Sequence, residues 1–296
     1  MIARSRCLKN TFYKQKLYDK QQQTRLKHNG EYHSLDIIVC VKHVPETAEA
    51  ELKIDASGKA IEKTGLVYDI NEWDDYALEE AVRIKEKQGG TVTAITIGTQ
   101  DSESTLRKCL ARGADTATRL TDPKFENSDA YATAKILHSV IKTLHYDLIL
   151  TGMQTGDDSS ATVGPILAEL LGIPHATMAK KLELATGTAK VNRELEGGLE
   201  EQLEIKLPAL VSVQTGINEP RYVSIMGIRK AMQKQIKVMS LADTGLTEND
   251  VGTAGSWLTI EKLYVPPVEK QAQFLKGTPD EIATKIAELI KSRGLI

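Results

Sequence analysis

The stretch TVTAITIGTQDSESTLRKCLARGADTATRL, from Thr91 to Leu120, contains a strand, a helix and a second strand in close succession. Thr91–Ile97 is β-branched and apolar in the manner of a strand. Asp101 can cap a helix, Leu106, Cys109 and Leu110 give that helix an apolar face, and Gly113 stops it. Thr116–Leu120 then resumes the strand pattern. Two strands joined through one helix form a right-handed crossover with the strands parallel.

The same alternation extends in both directions. Upstream, Asp36–Val41 (DIIVCV) is a short buried-strand signal followed by a polar, proline-containing turn over Lys42–Thr47. Glu51–Ile61 alternates around Ala56-Ser57-Gly58 and predicts a small hairpin. Asn71 can cap the next helix, with Asp74 three residues on as a capping-box partner. Ala77, Leu78, Ala81, Val82 and Ile84 form its apolar face and Gly89-Gly90 its end. Downstream, Asp129–Leu144 predicts a helix, Asp147–Thr151 (DLILT) a strand, and Ala161–Leu171 a helix entered from the polar loop Gly152–Ser160. After Pro174 the pieces Lys180–Leu184, Ala189–Glu194 and Leu203–Val213 predict antiparallel strands extending the sheet. We expect an α/β fold with helices on both faces of a parallel sheet. The folded domain spans 36–237, and a helix-poor arm over 238–296 ends in an amphipathic helix, Pro279–Ser292, whose apolar side needs a surface to dock on.

Composition narrows the function. With 41% hydrophobic and 26% charged residues among 296, the chain can bury an ordinary core. It holds no run of about 18 apolar residues, so no membrane span is expected. A formal net charge of −2 disfavours nucleic acid as a partner. Cys7, Cys40 and Cys109 are an odd, scattered set that cannot make a disulfide framework and fits a reducing compartment. The six histidines lack metal-ligand spacing, so no metal is expected. Residues 1–35 are basic with little apolar periodicity. They are expected not to pack, and lysine and glutamine richness favours an upstream start or tail over a transit peptide.

Ligands of parallel sheets bind beyond the carboxyl ends of the strands, which selects Cys40–Thr47, Ile70–Asp74, Ile97–Asp101 and Thr151–Val163. The last is a long polar loop running into a helix N-terminus. Unpaired N–H groups, the positive end of the helix dipole and the hydroxyls of Ser159, Ser160 and Thr162 suit a nucleotide phosphate, although Asp157, Asp158 and the serines also suit a capped loop without ligand. Neither G-x-G-x-x-G nor G-x-x-x-x-G-K-[ST] occurs. Cys40 reads more readily as a small buried hydrophobe than as a nucleophile. No catalytic constellation emerges.

Several ordered segments resemble one family. Val191-Asn192-Arg193-Glu194-Leu195-Glu196-Gly197-Gly198-Leu199-Glu200, continuing to Lys206-Leu207-Pro208-Ala209-Leu210-Val211, resembles the signature of the electron transfer flavoprotein β subunits, known also as the FixA family. Val41-Lys42, Asn71 ahead of Ala77–Glu86, Arg112-Gly113-Ala114-Asp115 and Asn218-Glu219-Pro220-Arg221-Tyr222 agree with it. The resemblance covers residues from about Asp36 to the C-terminus.

That resemblance implies an adenine nucleotide α-hydrolase-like, Rossmann-like domain whose C-terminal arm embraces an α subunit carrying FAD. It implies an electron carrier more than an enzyme in its own right, working in the cytoplasm, or the mitochondrial matrix of a eukaryote. Acyl-CoA or related dehydrogenases would supply electrons, as in fatty acid β-oxidation, and an ETF:quinone oxidoreductase type acceptor would receive them. Carried over by position, the β-subunit nucleotide lies among Cys40, Asn71, Glu72, Trp73, Asp74, Ile97 and Gly98. It also meets the loop Gly152, Met153, Gln154, Thr155, Gly156, Asp157, Asp158, Ser159, Ser160, Ala161, Thr162 and Val163. Glu194 matches an acid near the α-subunit flavin, the alternative being a cross-strand ion pair with Arg193 or Lys206. Ile225 matches the apolar anchor of a loop that docks dehydrogenases; its helical spacing with Ile228 and Met232 would equally suit a core face. Val44-Pro45-Glu46-Thr47 and Val163-Gly164-Pro165 look more like bifurcating members, which hold a second FAD and oxidise NADH. The loop lacks the Asp-Gly-Asp order of many of these, which favours AMP. Asn71-Glu72-Trp73-Asp74 departs from the Asn-Pro start of both groups. The rival from another class is a stand-alone ATP-binding protein of the universal stress type.

Overall fold

The structure is a computed structural model that describes residues 34–47, 50, 52–267 and 274–295. In chain order its strands are β1 (Leu35–Cys40), β2 (His43–Pro45), β3 (Tyr68–Ile70), β4 (Gly90–Ile97), β5 (Thr116–Leu120), β6 (Leu148–Gly152), β7 (His175–Ala185), β8 (Thr188–Glu194), β9 (Glu200–Lys206), β10 (Ala209–Val213) and β11 (Ile236–Met239). Its helices are α1 (Glu72–Gln88), α2 (Glu103–Arg112), α3 (Ala130–Ile141), α4 (Val163–Leu171), α5 (Ile225–Gln233), α6 (Leu241–Thr244), α7 (Gly252–Gly255) and α8 (Pro279–Ser292).

Nine strands form one sheet in the order β11-β5-β4-β1-β6-β10-β7-β8-β9. From β11 to β7 every pairing is parallel, and β8 and β9 continue it antiparallel. The alternation of side chains along β1 explains how both faces are covered. Ile37, Val39 and Val41 pack with Ala77, Leu78 and Ala81 of α1 and Leu106 of α2. Ile38 and Cys40 pack with Ile136 and Val140 of α3 and Leu167 of α4.

The expected α/β class is met, with one correction of topology. Leu203–Val213 is not a single antiparallel strand: it divides at Pro208, which has no N–H to give a ladder, into edge-side β9 and central β10. β10 is buried throughout and pairs in parallel with both β6 and β7. Its uninterrupted ALVSV run carries the signature of a strand buried on both faces.

The chain divides into two compact units, one of the described residues among 34–53 and 62–260 and one of 54–61 with 261–295. β11 runs across the expected boundary at 237/238, and Leu241, Leu246 and Val251 join the core of the first unit. In the second unit the anticipated hairpin closes through an antiparallel bridge between Ile54 and Ile61. Its helix α8 is capped by Thr278 and Glu281 in a reciprocal capping box. The extension expected over residues 1–35 lies, apart from Ser34 and Leu35, outside the described residues.

Candidate nucleotide crevice

β1 is followed along the chain by β4 on one side and, two strands later, by β6 on the other, so the connections diverge from β1. A crevice at the carboxyl ends of strands at such a divergence is where open α/β sheets hold ligands. A cavity of about 440 Å³ lies there, within the size range of small-molecule sites. Ile95, Ile97, Leu120, Phe125, Leu137 and Val163 give it an apolar lining suited to a planar base. Ser160, Ala161, Thr162 and Val163 bring the loop end at the start of α4 to the same cavity.

That end is suited to phosphate. Helix α4 has no acidic side chain in its first turn and its Thr162 side chain makes no capping bond, leaving the positive end of the dipole uncompensated. Ser159 and Ala161 hold φ of 51° and 53°, left-handed values that cost a residue with a Cβ roughly 1–3 kcal/mol each and gather at ligand clamps. Gly164 lets α4 approach the sheet closely: a Cβ there would sit 2.6 Å from Ser212 Oγ and 2.9 Å from Thr151 Oγ1.

Two polar residues brace the crevice from below. Asn71 was expected to cap α1 with Asp74 closing a capping box, but the Asn71 side chain makes no cap bond. Fully buried, it donates from Nδ2 to the Gln154 carbonyl at 2.9 Å and accepts at Oδ1 from the Gly156 N–H at 3.1 Å. Asp74 accepts from the N–H of Lys42 and of Gly152, each at 2.8 Å. Burial pushes its carboxyl up to about 7, against those donors and Lys42, which favour the charge. Two residues that local sequence assigns to a helix start are diverted to tie β1, β6 and their loops together.

The remaining anticipated residues sort by position. Cys40, Asp74, Ile97, Gly98, Gly152, Met153, Gln154, Thr155, Ser160, Ala161, Thr162 and Val163 line the cavity. Asn71, buried, and Gly156, Asp157, Asp158 and Ser159, exposed in the loop, are not among the residues that line it. Glu72 is exposed at the first position of α1, and Trp73 turns its Nε1 to Gln214 Oε1 at 2.8 Å. The thiol of Cys40 is pushed up to about 12 by burial, with Asp74 adding to it, which rules against a nucleophile. Thr99 and Gln100, within the selected segment Ile97–Asp101, also line the cavity, and so, unanticipated, do Leu120–Pro123 and Phe125–Ser128 of the β5–α3 segment. The predicted end of strand Thr116–Leu120 beside Asp122-Pro123 was the signal available for them.

Outside the crevice, Glu194 at the end of β8 pairs with Lys180 at 2.6 Å, not with Arg193 or Lys206. Ile225 opens α5 and is 74% exposed, with Met226, Ile228 and Met232 exposed beside it, so its helical spacing does not mark a core face. The segment leading to it is clamped to α1. Arg221 forks onto Glu79 and Glu86, and Asn218 donates to the Tyr76 carbonyl and Glu80 Oε2. Arg107 of α2 donates to the carbonyls of Ala231 and Lys234 at the far end of α5.

A parallel sheet with a crevice at its divergence makes this an α/β protein of the class that holds ligands at the carboxyl ends of its strands. Comparison with known proteins narrows this. The family model described as electron transfer flavoprotein domain matches residues 59–244. An electron transfer flavoprotein subunit beta of Methylophilus methylotrophus is 40% identical over 260 residues, covering 86% of this chain and 98% of that protein. The subunit of the same description from Bacillus subtilis is 37% identical, covering 88% of this chain and all of its own length. The caffeyl-CoA reductase-Etf complex subunit CarD of Acetobacterium woodii is 34% identical, covering 88% and 99%. The chain belongs to the electron transfer flavoprotein family, as a β subunit. Electron transfer in a flavoprotein that includes an α subunit follows from that membership, and the stand-alone stress-type reading is set aside. Among the described residues no helix is long and apolar enough to cross a membrane.

Proposed function

We propose that this chain is the β half of a heterodimeric electron carrier in which the α subunit carries the electron-transferring FAD, and that the crevice over β1 and β6 binds AMP. The observation that carries the nucleotide reading is one cavity lined both by apolar side chains and by the uncompensated N-terminus of α4. When bound, the flavin supplies the redox chemistry. The residues of this chain hold and orient: Asp74 and Asn71 fix the loops, α4 and Ser160 receive phosphate, and Ile95, Leu120 and Phe125 exclude water from the base.

Electrons would arrive from acyl-CoA or related dehydrogenases docking on the exposed Ile225 side of α5, and leave for an ETF:quinone oxidoreductase type acceptor. An apolar anchor on a rigidly clamped segment suits brief, repeated complexes. Glu194, at the end of β8, would sit near the α-subunit flavin and influence its potential. The setting would be the cytoplasm or the mitochondrial matrix.

A second reading, FAD in place of AMP with NADH-driven bifurcation, is favoured by the additional lining from Thr121, Asp122, Pro123, Phe125, Glu126, Asn127 and Ser128, past the end of β5. Chromatography of nucleotides released by denaturing the complex of this chain with its α subunit separates the two. One FAD and one AMP per heterodimer is the expected result. Two FAD would establish the second reading, and no bound nucleotide would overturn both.

A further inference from the structure

We infer that Lys42 is a positioning residue that latches the β6–α4 loop across the crevice, so that the loop opens for nucleotide exchange when the ion pairs of Lys42 with Asp157 and Asp158 break. Lys42 follows β1, and the two acids follow the neighbouring strand β6. Lys42 Nζ lies 2.8 Å from Asp157 Oδ1 and 2.7 Å from Asp158 Oδ2, bridging a separation of more than a hundred residues in sequence. It is the sole cationic side chain among those lining the cavity. Its charge is committed to the loop, which leaves phosphate to backbone N–H groups and hydroxyls.

The bonding of the loop singles Lys42 out. Asn71 secures Gln154 and Gly156 from below. Beyond Gly156, among the described residues, the other hydrogen bonds of residues 157–161 stay within the loop: Thr155 Oγ1 and the Ser160 N–H donate to Asp158 Oδ1, and the Ser159 N–H and hydroxyl donate to the Thr155 carbonyl. Asp158 therefore joins the internal turn to Lys42, and Lys42 joins both to the body of the sheet. Burial works against the Lys42 charge, yet the two carboxylates outweigh it and hold its pKa above the usual value. Asp158 in turn lies below its own. The latch stays openable because it is wet: the Lys42 side chain is 38% exposed and that of Asp158 53%. Ion pairs of this kind break at modest cost and weaken with salt.

The identity of the occupant rests on the function proposed above, whereas the latch does not. Amide hydrogen exchange of the heterodimer reads the latch directly. In Lys42→Met the amides of Gly156–Ala161 should exchange roughly threefold to thirtyfold faster, as the loss of two partly exposed ion pairs allows. Bound nucleotide should leave faster by a similar factor, and Lys42→Arg should restore both. Raising salt should speed loop exchange in the unaltered protein and not in Lys42→Met. If Lys42→Met does not fold, the double variant Asp157→Asn, Asp158→Asn makes the same test. Loop exchange equal to that of the unaltered protein overturns the latch whatever the nucleotide does. Absence of nucleotide from the unaltered heterodimer overturns the nucleotide reading, with loop exchange still deciding the latch.

Discussion

The Oδ1 atom of Asp74 accepts the backbone N–H of Gly152 at 2.8 Å, so a carboxylate in the first turn of α1 holds the end of β6. Its other oxygen takes the N–H of Lys42 beyond the end of β1. Asp74→Ala leaves both donors buried without a partner, at about 1–3 kcal/mol each. Asp74→Asn keeps one acceptor and turns an NH2 on the other donor, so it should fall between. Denaturation midpoints of the three proteins should rank in that order, and equal midpoints would refute the bracing role.

The same group predicts a dependence on pH. Its folded pKa of about 7 lies above the ordinary 3.8, so between about pH 4 and 7 the folded protein binds a proton that the unfolded chain has released. The contribution of Asp74 is full below the lower value and is lost as pH rises through the upper one. Asp74→Asn should therefore be flatter in stability between pH 5 and pH 8 than the unaltered protein. Chemical denaturation at the two pH values checks this, and an identical slope would assign the titration elsewhere.

Gly164 offers a test of how tightly the α4 side of the crevice is built. Its missing Cβ is what allows α4 to lie against Ser212 and Thr151, which themselves share a hydrogen bond of 2.9 Å. Gly164→Ala should force α4 outward and cost about 1–3 kcal/mol through overpacking. The loss should show in Tm and in weaker nucleotide retention together. A fall in Tm with unchanged retention would separate α4 from the ligand.

How much of this was legible beforehand depended on whether the signal was local. The alternation of strand and helix from Asp36 to Leu171 was readable because each element carries its own period and its own stop, as Gly113 does after α2. Buried β10 was merged with β9 because ALVSV has no alternation of its own, and its parallel partners lie far away in sequence. Asn71 and Asp74 were read as caps, which is what those residue types do in isolation. The tertiary bonds to Lys42, Gly152, Gln154 and Gly156 cannot be seen from sequence spacing. Segment Leu120–Ser128 went unnoticed because its place on the crevice follows from strand order, which an ordered list of elements does not contain.

Arg221 and Ile225, four residues apart, should behave in opposite ways. The Arg221 guanidinium forks onto Glu79, whose side chain is only 4% exposed, and reaches Glu86 as well. Arg221→Met takes the guanidinium from the buried Glu79 carboxylate and leaves it the more distant Arg83, at 3.9 Å, and the backbone N–H of residue 221, a change that should cost about 1–3 kcal/mol. It also releases the segment that carries Ile225. Ile225→Ala removes an apolar side chain that this chain does not bury, so stability should change by less than about 0.5 kcal/mol. If α5 is the docking side, Ile225→Ala should raise the KM of the heterodimer for a reduced dehydrogenase several-fold at unchanged Tm. Arg221→Met should lower Tm as well as docking. Unchanged kinetics in Ile225→Ala would move the docking surface away from α5.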